Sequence, residues 1–337
     1  MNIKEKLFEL SRCDGVGCIE EASLKVEEML SPVLKTQRAA GLTVLGYLKG
    51  DDDYTILLDA HIDQIGMVVT AIDDDGFITV SKSGGIDIRC LPSRRVTVHG
   101  KEKVVAVFCA VPPHLSKGSR EYNDISELKL DTALGKKAKE IISVGDFVTF
   151  NIKPCELLGS RVTGRSFDDR AAAACLIEIA ERLKDKKLPV SVAFCFSDGE
   201  ELGLRGARTA AFKADPDEAL VLDVSFGDGI GISPEDSGKL GGGAMVGISP
   251  CLDKKVSQKL IQIAEENDIA YQTEVMGESS GTNADVISVS REGVKTATVS
   301  IPLRNMHTDC EILDTRDLES VCDLVCEYIL AGGVRNA

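Results

Sequence analysis

The chain has 337 residues, of which 39 are Lys or Arg and 54 are Asp or Glu, giving a formal net charge of −15. This charge excludes duplex nucleic acid and anionic membranes as expected partners, because both repel an acidic surface. The 43% share of hydrophobic residues excludes extensive disorder, and only four histidines are present, so a metal site must draw largely on carboxylates.

The N-terminal part is predicted to form two helices followed by two strands. Apolar residues recur at helical spacing over residues 2–12 and roughly 18–30, and Pro32 ends the second helix. LTVLGYL and TILLDAH have the composition of strands, and the nearly continuous apolar run of TILLDAH predicts burial on both faces.

The cellular location follows from the same segment and from the cysteines. The first residues are charged and amphipathic, so we expect no secretory signal, and no apolar run approaches the ~18 residues of a membrane span. The eleven cysteines contain no C-x-x-C pair and are interpreted as reduced thiols. We therefore expect a cytoplasmic protein.

The pattern from about residue 66 to 160 is typical of an all-β unit. MVVTAI and FITVSK flank an Asp-Gly turn and predict a hairpin, and RRVTVHG, KVVAVFCAV and DFVTFNI predict further short strands. This stretch is long enough for a small independent domain.

Strands and helices alternate again after this unit. A helix is predicted from Asp168 to about Lys184, followed by the strand PVSVAFCFS, a helix from about Gly203, the strand ALVLDVSF and a further helix. Alternation of this kind predicts an α/β fold with a mostly parallel sheet flanked by helices. The glycine-rich segment GKLGGGAMVG is predicted to be a loop. We predict a catalytic α/β domain made from residues 1–66 and 161–337, interrupted by a β-rich, barrel-like domain at 67–160.

Polar residues at the end of the second predicted strand and at the start of one predicted helix can bind a metal. His61 and Asp63 follow the strand TILLD, and Asp63 can accept the second N–H of the imidazole. Taken alone, such a pair is more often an incidental polar turn. Asp168 and Asp169 precede the helix AAAACLIEIA, and two adjacent Asp followed by Arg exceed what a helix cap needs.

Four later residues add to this set. Glu200 and Glu201 follow VSVAFCF, so one can bind a cation while its neighbour reaches a water beside it. A solvated acidic turn is the alternative interpretation. Asp223 ends an apolar strand and needs a partner if it is buried. His307 follows TATVSIP, where a lone His is more often simply hydrogen-bonded.

Taken together, five of these positions form a coherent ligand set, namely His61, Asp168, Glu201, Asp223 and His307. They suffice for two cations if one carboxylate bridges, and pairs of cations about 3.5–4 Å apart are a common hydrolytic device. Histidine and carboxylate ligands without thiolate suit Zn²⁺, Co²⁺ or Mn²⁺ in a catalytic site.

The motifs AHIDQIG, GRSFDDRAA, EELGLRGA, VLDVS and RNMHTDCE, in this order, resemble the metallopeptidase family of bacterial glutamyl aminopeptidase and the tetrahedral (TET) aminopeptidases. The resemblance covers nearly the whole chain. It implies a two-metal aminopeptidase-like, phosphorylase/hydrolase-like α/β domain with an inserted barrel that helps dimers assemble into a homo-oligomer, up to a dodecamer. It also implies hydrolysis of N-terminal residues from peptides that have a free N-terminus.

The resemblance further implies a role for each ligand. His61 and Asp223 would bind one divalent cation, Glu201 and His307 would bind the other, and Asp168 would bridge the two. The implied cofactors are two divalent ions per subunit, Zn²⁺ or Co²⁺, with Mn²⁺ as an alternative.

Two catalytic roles and two departures complete the comparison with the family pattern. Glu200 would be the general base and acid, and Asp63 would orient His61. The family commonly has Gln where this chain has Gly199, and often H-S-P-V-E where this chain reads His-Thr-Asp-Cys-Glu from residue 307. Asp309 thus adds a negative charge near the last ligand, and the substrate preference stays open.

Three other functional classes are alternatives. A carboxypeptidase or deacylase with related two-metal chemistry would use a similar ligand set. An endoglucanase, as some family members have been labelled, needs only two carboxylates and has no use for the two histidines. A non-catalytic assembly protein is disfavoured because every ligand and Glu200 are present.

Overall fold

The structure is a computed structural model that describes residues 1–112, 114–115, 122 and 124–335. The strands are, in chain order, β1 (Thr36–Arg38), β2 (Val44–Leu48), β3 (Thr55–His61), β4 (Gly66–Ile72), β5 (Ile78–Ser83), β6 (Arg95–His99), β7 (Lys103–Phe108), β8 (Leu130–Asp131), β9 (Phe147–Phe150), β10 (Cys155–Glu156), β11 (Arg161–Gly164), β12 (Ser191–Ser197), β13 (Glu218–Phe226), β14 (Ala244–Ile248), β15 (Tyr271–Val275), β16 (Lys295–Leu303) and β17 (Glu311–Asp314). The α-helices are α1 (Ile3–Arg12), α2 (Glu21–Leu30), α3 (Ala138–Ile141), α4 (Phe167–Leu183), α5 (Arg205–Ala214), α6 (Lys254–Glu266), α7 (Ala284–Ile287) and α8 (Thr315–Leu330).

One large sheet forms the centre of the catalytic part. Its eight strands lie in the order β1-β2-β12-β3-β13-β16-β14-β15. The four central strands β12, β3, β13 and β16 run parallel, and β1, β2 and the β14–β15 pair join them through antiparallel contacts. The predicted mostly parallel sheet is therefore confirmed at its centre, where ligands bind in open α/β sheets.

Both faces of this sheet are covered, which explains why its central strands have continuous apolar sequences. In β3, Ile56 and Leu58 belong to a core shared with α1, α4 and α8, whereas Leu57 belongs to a second core shared with α5 and α7. Helix α4 is itself buried because α1 and α8 pack on its outer side. Its run of alanines lets these helices approach closely.

The inserted unit is a closed barrel with the strand order β4-β5-β8-β7-β6-β9. Its interior is a separate hydrophobic core that includes Met67, Val80, Val98 and Val148, which come from four different strands. The predicted hairpin is present as β4 and β5, and Gly76 in its turn has a φ of 90°. The fold class is confirmed, while the division at 1–66, 67–160 and 161–337 stays a prediction.

One local prediction is wrong. The segment Gly238–Gly247 is predicted to be a loop, but β14 begins at Ala244 and pairs with β15 and β16. The glycines before Ala244 give no sequence signal for a strand, and β14 is instead stabilised by its pairing with β15 and β16. Within the part of the chain that the structure describes, no helix is long and apolar enough to cross a membrane.

Candidate metal centre and active site

The predicted site residues meet at the carboxyl ends of the central parallel strands. His61 is the last residue of β3, Asp223 lies near the end of β13, and Glu200 and Glu201 follow β12. Because β12, β3 and β13 are neighbours in the sheet, these side chains reach the same edge. His307, in the loop after β16, completes this row.

The carboxylate of Asp168 lies between two imidazoles. Its Oδ1 is 2.9 Å from Nε2 of His61, and its Oδ2 is 3.1 Å from Nε2 of His307. Nε2 of His307 is also 3.4 Å from Oε1 of Glu201. A carboxylate that directs one oxygen toward each histidine has the arrangement needed to join two cation sites.

Three overlapping groups of ligand atoms surround this carboxylate. In each group all atoms lie within 4.8 Å of one another, and the groups are His61 with Asp169 and Asp223, His61 with Glu200 and Glu201, and Asp168 with Glu201 and His307. All five residues that the sequence singles out as ligands are thus brought together, and Glu200 lies beside them.

Asp169 is a member of the cluster that sequence reasoning did not assign. It is fully buried, its Oδ1 accepts a hydrogen bond from the backbone N–H of Ala172, and its Oδ2 has no partner in the described part of the chain. Asp169 therefore provides the helix cap, which leaves Asp168 free to face the histidines. Burial and the nearby Asp223 raise the pKa of Asp169. The available signal was the second Asp of the pair, which exceeds the needs of a cap.

Asp63 contacts more than the histidine it is predicted to orient. Its Oδ1 lies 3.5 Å from Nδ1 of His61, and its backbone oxygen is closer, at 3.2 Å. Its carboxylate accepts hydrogen bonds from the backbone N–H groups of Glu200 at 2.9 Å and Glu201 at 3.2 Å. Asp63 therefore fixes the turn that carries both glutamates.

Glu311 fixes the two remaining ligand segments and was not identified from the sequence. Its Oε2 accepts from the backbone N–H groups of Phe167 at 2.6 Å and Asp168 at 3.3 Å. Its Oε1 accepts from the backbone N–H of His307 at 3.0 Å. One buried carboxylate thus joins the start of α4 to the loop after β16. Its signal in the sequence was the last Glu of RNMHTDCE.

We expect Glu311→Gln to weaken the binding of divalent cations by about 10- to 100-fold, as other changes behind metal ligands do. An amide has one acceptor oxygen and cannot accept from all three N–H groups. The affinity for Zn²⁺ is measured by competition with a chelating indicator. Glu292→Gln, the same change at an exposed residue, is the control. An unchanged affinity in a folded Glu311→Gln protein would contradict this positioning role.

The cluster shifts the pKa values of its members in opposite directions. The hydrogen bond to Asp168 raises the pKa of His307 to about 9, and burial raises the pKa of Glu201 to about 7. The pKa of Asp168 is lowered because its hydrogen bonds to the two histidines outweigh the effect of burial. Without a metal, the site therefore binds protons where cations would bind.

Cation affinity is accordingly expected to rise between pH 6 and pH 9. Below their raised pKa values Glu201 and His307 hold protons, and these must leave before either residue can act as a ligand. Binding therefore releases more protons at pH 6 than at pH 9. Calorimetric titration of the metal-free protein with Zn²⁺, in buffers of different ionisation enthalpy, measures this release. Proton release that does not change with pH would contradict the assignment of these ligands.

The barrel contributes to one wall of the site through two adjacent glycines. A Cβ atom on Gly85 would lie 2.7 Å from Nδ1 of His307, and a Cβ atom on Gly84 would lie 2.9 Å from Oε2 of Glu201. A side chain at either position would therefore push a ligand side chain aside.

The two departures from the family pattern have local explanations. Gly199 has a φ of 75°, in the left-handed region that favours glycine. Asp198 before it accepts a hydrogen bond from the backbone N–H of Leu42 at 3.2 Å. The buried Asp309 forms an ion pair with Arg94 of the barrel region, with Nη1 and Oδ2 3.4 Å apart. The charge of Asp309 is therefore compensated from the barrel side.

A cavity of about 740 Å³ opens beside the cluster. Its floor includes His61, Asp168, Glu200, Asp223 and His307, and its walls come from the ends of β13 and β15 and the loops that follow them. A volume of this size accommodates a small-molecule or peptide-terminus ligand.

Comparison with protein families gives a match over most of the chain. A family model described as M42 glutamyl aminopeptidase matches residues 43–324. The lysyl aminopeptidase of Pyrococcus furiosus is 30% identical over 292 residues, which cover 83% of this chain and 82% of that protein.

Solved structures show the same fold. A TET aminopeptidase from a marine sediment archaeon of the Thaumarchaeota has a TM-score of 0.92 at 28% identity, covering 97% of this chain and 96% of that chain. The TET1 peptidase of Pyrococcus horikoshii, which can assemble into a tetrahedron or a large octahedral shell, has a TM-score of 0.87 at 29% identity, covering 98% and 99%.

Proposed function

We propose that this chain uses two divalent cations to release N-terminal residues from peptides. The proposal starts from the fact that the chain belongs to the M42 glutamyl aminopeptidase family and is a peptidase. The observation that carries this proposal is the carboxylate of Asp168, whose two oxygens face His61 and His307. Glu200 lies beside this arrangement on the cavity floor.

The donor set fits two divalent cations. Oε1 of Glu201 and Oδ2 of Asp169 are buried oxygens without hydrogen-bond partners in the described residues, which is costly unless a cation or proton compensates them. His61 and Asp223 would hold one cation, Glu201 and His307 the other, and Asp168 both. This set of nitrogen and oxygen ligands without thiolate suits Zn²⁺, Co²⁺ or Mn²⁺.

When bound, such cations lower the pKa of water and polarise the peptide carbonyl. Glu200 accepts a proton from the attacking water and returns it to the leaving amine. Burial raises the pKa of Glu200, which moves this carboxylate toward the range in which it can both accept and donate at neutral pH. Asp63 holds the backbone of Glu200 in place during both transfers.

We further propose that the protein acts as a homo-oligomer built from dimers, up to a dodecamer. The outer surface of the barrel supports this, since Val105 and Val107 on β7 are 54% and 40% exposed. Exposed apolar residues of this kind are frequent in association surfaces. Light scattering or analytical ultracentrifugation determines the particle mass, and a monomer at micromolar concentration would contradict the proposal.

The function is tested with metal-free protein reloaded with Zn²⁺, Co²⁺ or Mn²⁺. Free peptides and the same peptides with an acetylated N-terminus are offered, and products are identified by mass spectrometry. We expect loss of the N-terminal residue from the free peptides only, and only with metal present. Cleavage from the C-terminus or of the acetyl group would favour the carboxypeptidase or deacylase class. Chelator-insensitive release of sugar from glucan would favour a glucanase.

A further inference from the structure

The cavity beside the metal centre has an acidic wall. In addition to the residues of the centre, Glu235, Asp236 and Glu274 line it. No Lys or Arg occurs among the described residues that line this cavity. Two dications would compensate the carboxylates of the metal centre but would leave these three without a cationic partner among the described residues.

Glu274 is the least exposed of the three carboxylates. It lies on β15, and its Oε1 accepts a hydrogen bond from the hydroxyl of Ser225, two residues beyond Asp223 on β13. Its Oε2 is buried and has no hydrogen-bond partner in the described part of the chain. Burial raises the pKa of Glu274, and the hydroxyls of Ser225 and Ser300 oppose this rise. A buried carboxylate with an unused acceptor is stabilised in its charged form by a cation.

The rest of the wall suits a long aliphatic side chain. Met245, Met276, Phe226 and Ile232 line the same cavity as Glu274. Lys and Arg side chains commonly bury their methylene groups against apolar surface while the charged end reaches a polar partner. The cavity therefore offers both of the environments that such a side chain needs.

We propose that Glu274 binds the side-chain cation of the substrate's N-terminal residue, so that this protein prefers peptides that begin with Lys or Arg. The proposal rests on the aminopeptidase function proposed above and names its substrate class. An acidic N-terminal residue is disfavoured, because its carboxylate would enter a cavity with three uncompensated negative charges.

The test compares p-nitroanilides of Lys, norleucine and Glu with the metal-loaded protein. Norleucine has a side chain of similar length without the charge, so the ratio of kcat/KM for Lys to that for norleucine isolates the contribution of the cation. We expect this ratio to exceed one in the native protein. In Glu274→Gln it should fall about tenfold or more, because kcat/KM for the Lys substrate falls while that for norleucine does not. Hydrolysis of the norleucine substrate by the variant also shows that it is folded.

Two further variants complete the experiment. Glu278→Gln makes the same change at an exposed residue that does not line the cavity, and it should leave the ratio unchanged. Glu274→Asp keeps the charge and should retain part of the preference for Lys. If Glu274→Gln does not fold, the test uses Glu274→Asp. A ratio below that of the native protein then supports the inference, and an unchanged ratio overturns it.

The outcomes separate the two proposals. If the native protein hydrolyses none of the three substrates with any metal, the aminopeptidase function fails and the inference fails with it. If it hydrolyses norleucine or Glu anilide as well as or better than Lys anilide, only the inference is overturned. A ratio that is equal in the native protein and Glu274→Gln also overturns only the inference.

Discussion

Replacing Glu200 by Gln is expected to reduce kcat by about 10²–10⁴-fold while the metal content stays unchanged. The amide has the same size and keeps the backbone hydrogen bond to Asp63, but it cannot accept the proton of the attacking water. Steady-state kinetics with a free aminoacyl anilide gives kcat, and elemental analysis gives the number of cations per chain.

Glu292→Gln is the matched control for Glu200→Gln, because Glu292 is exposed and neither it nor its chain neighbours line the cavity. It should have native kcat. Near-native turnover in Glu200→Gln would show that another group transfers the proton. Loss of metal together with turnover would instead show that Glu200 is a ligand.

Asp168→Ala is expected to remove both cations and all measurable turnover. Asp168 contacts both His61 and His307, so its loss separates the two halves of the site. It also leaves the remaining carboxylates of the cluster without a shared cation. Elemental analysis after gel filtration measures the cations retained per chain.

Asp185→Ala, at an exposed residue after α4, is the control for Asp168→Ala and should retain the native metal content. Circular dichroism and thermal unfolding of the metal-free proteins show whether Asp168→Ala is folded. A folded variant that retains two cations would contradict the bridging role of Asp168.

The fold class can be predicted because buried strands and tight turns each have a recognisable local sequence pattern. The run TILLDAH is apolar throughout because both faces of β3 are covered, and the hairpin of β4 and β5 is marked by its Asp-Gly turn. Strand β14 has no such local signal. It follows three glycines, and its pairing with β15 and β16 depends on residues that are distant in the sequence.

The candidate site, like the fold, can be predicted only in part from the sequence. His61, Glu201 and Asp223 follow or end apolar strands, so their common location can be inferred from the parallel topology. The roles of Asp169 and Glu311 cannot be inferred in this way. Glu311 acts on backbone N–H groups of two segments that are more than a hundred residues apart, and no spacing in the sequence records such a contact.

The approach of Gly84 and Gly85 to the metal ligands limits how the two parts of this protein can be recombined. A chimaera that takes its barrel from a relative must keep both glycines, since a methyl group at either position would collide with Glu201 or His307. The ion pair between Arg94 and Asp309 adds a second matching requirement at the same boundary. Barrel and catalytic part are therefore not interchangeable modules, and we expect an exchanged barrel to function only if it retains Gly84 and Gly85 and carries Arg94 opposite Asp309.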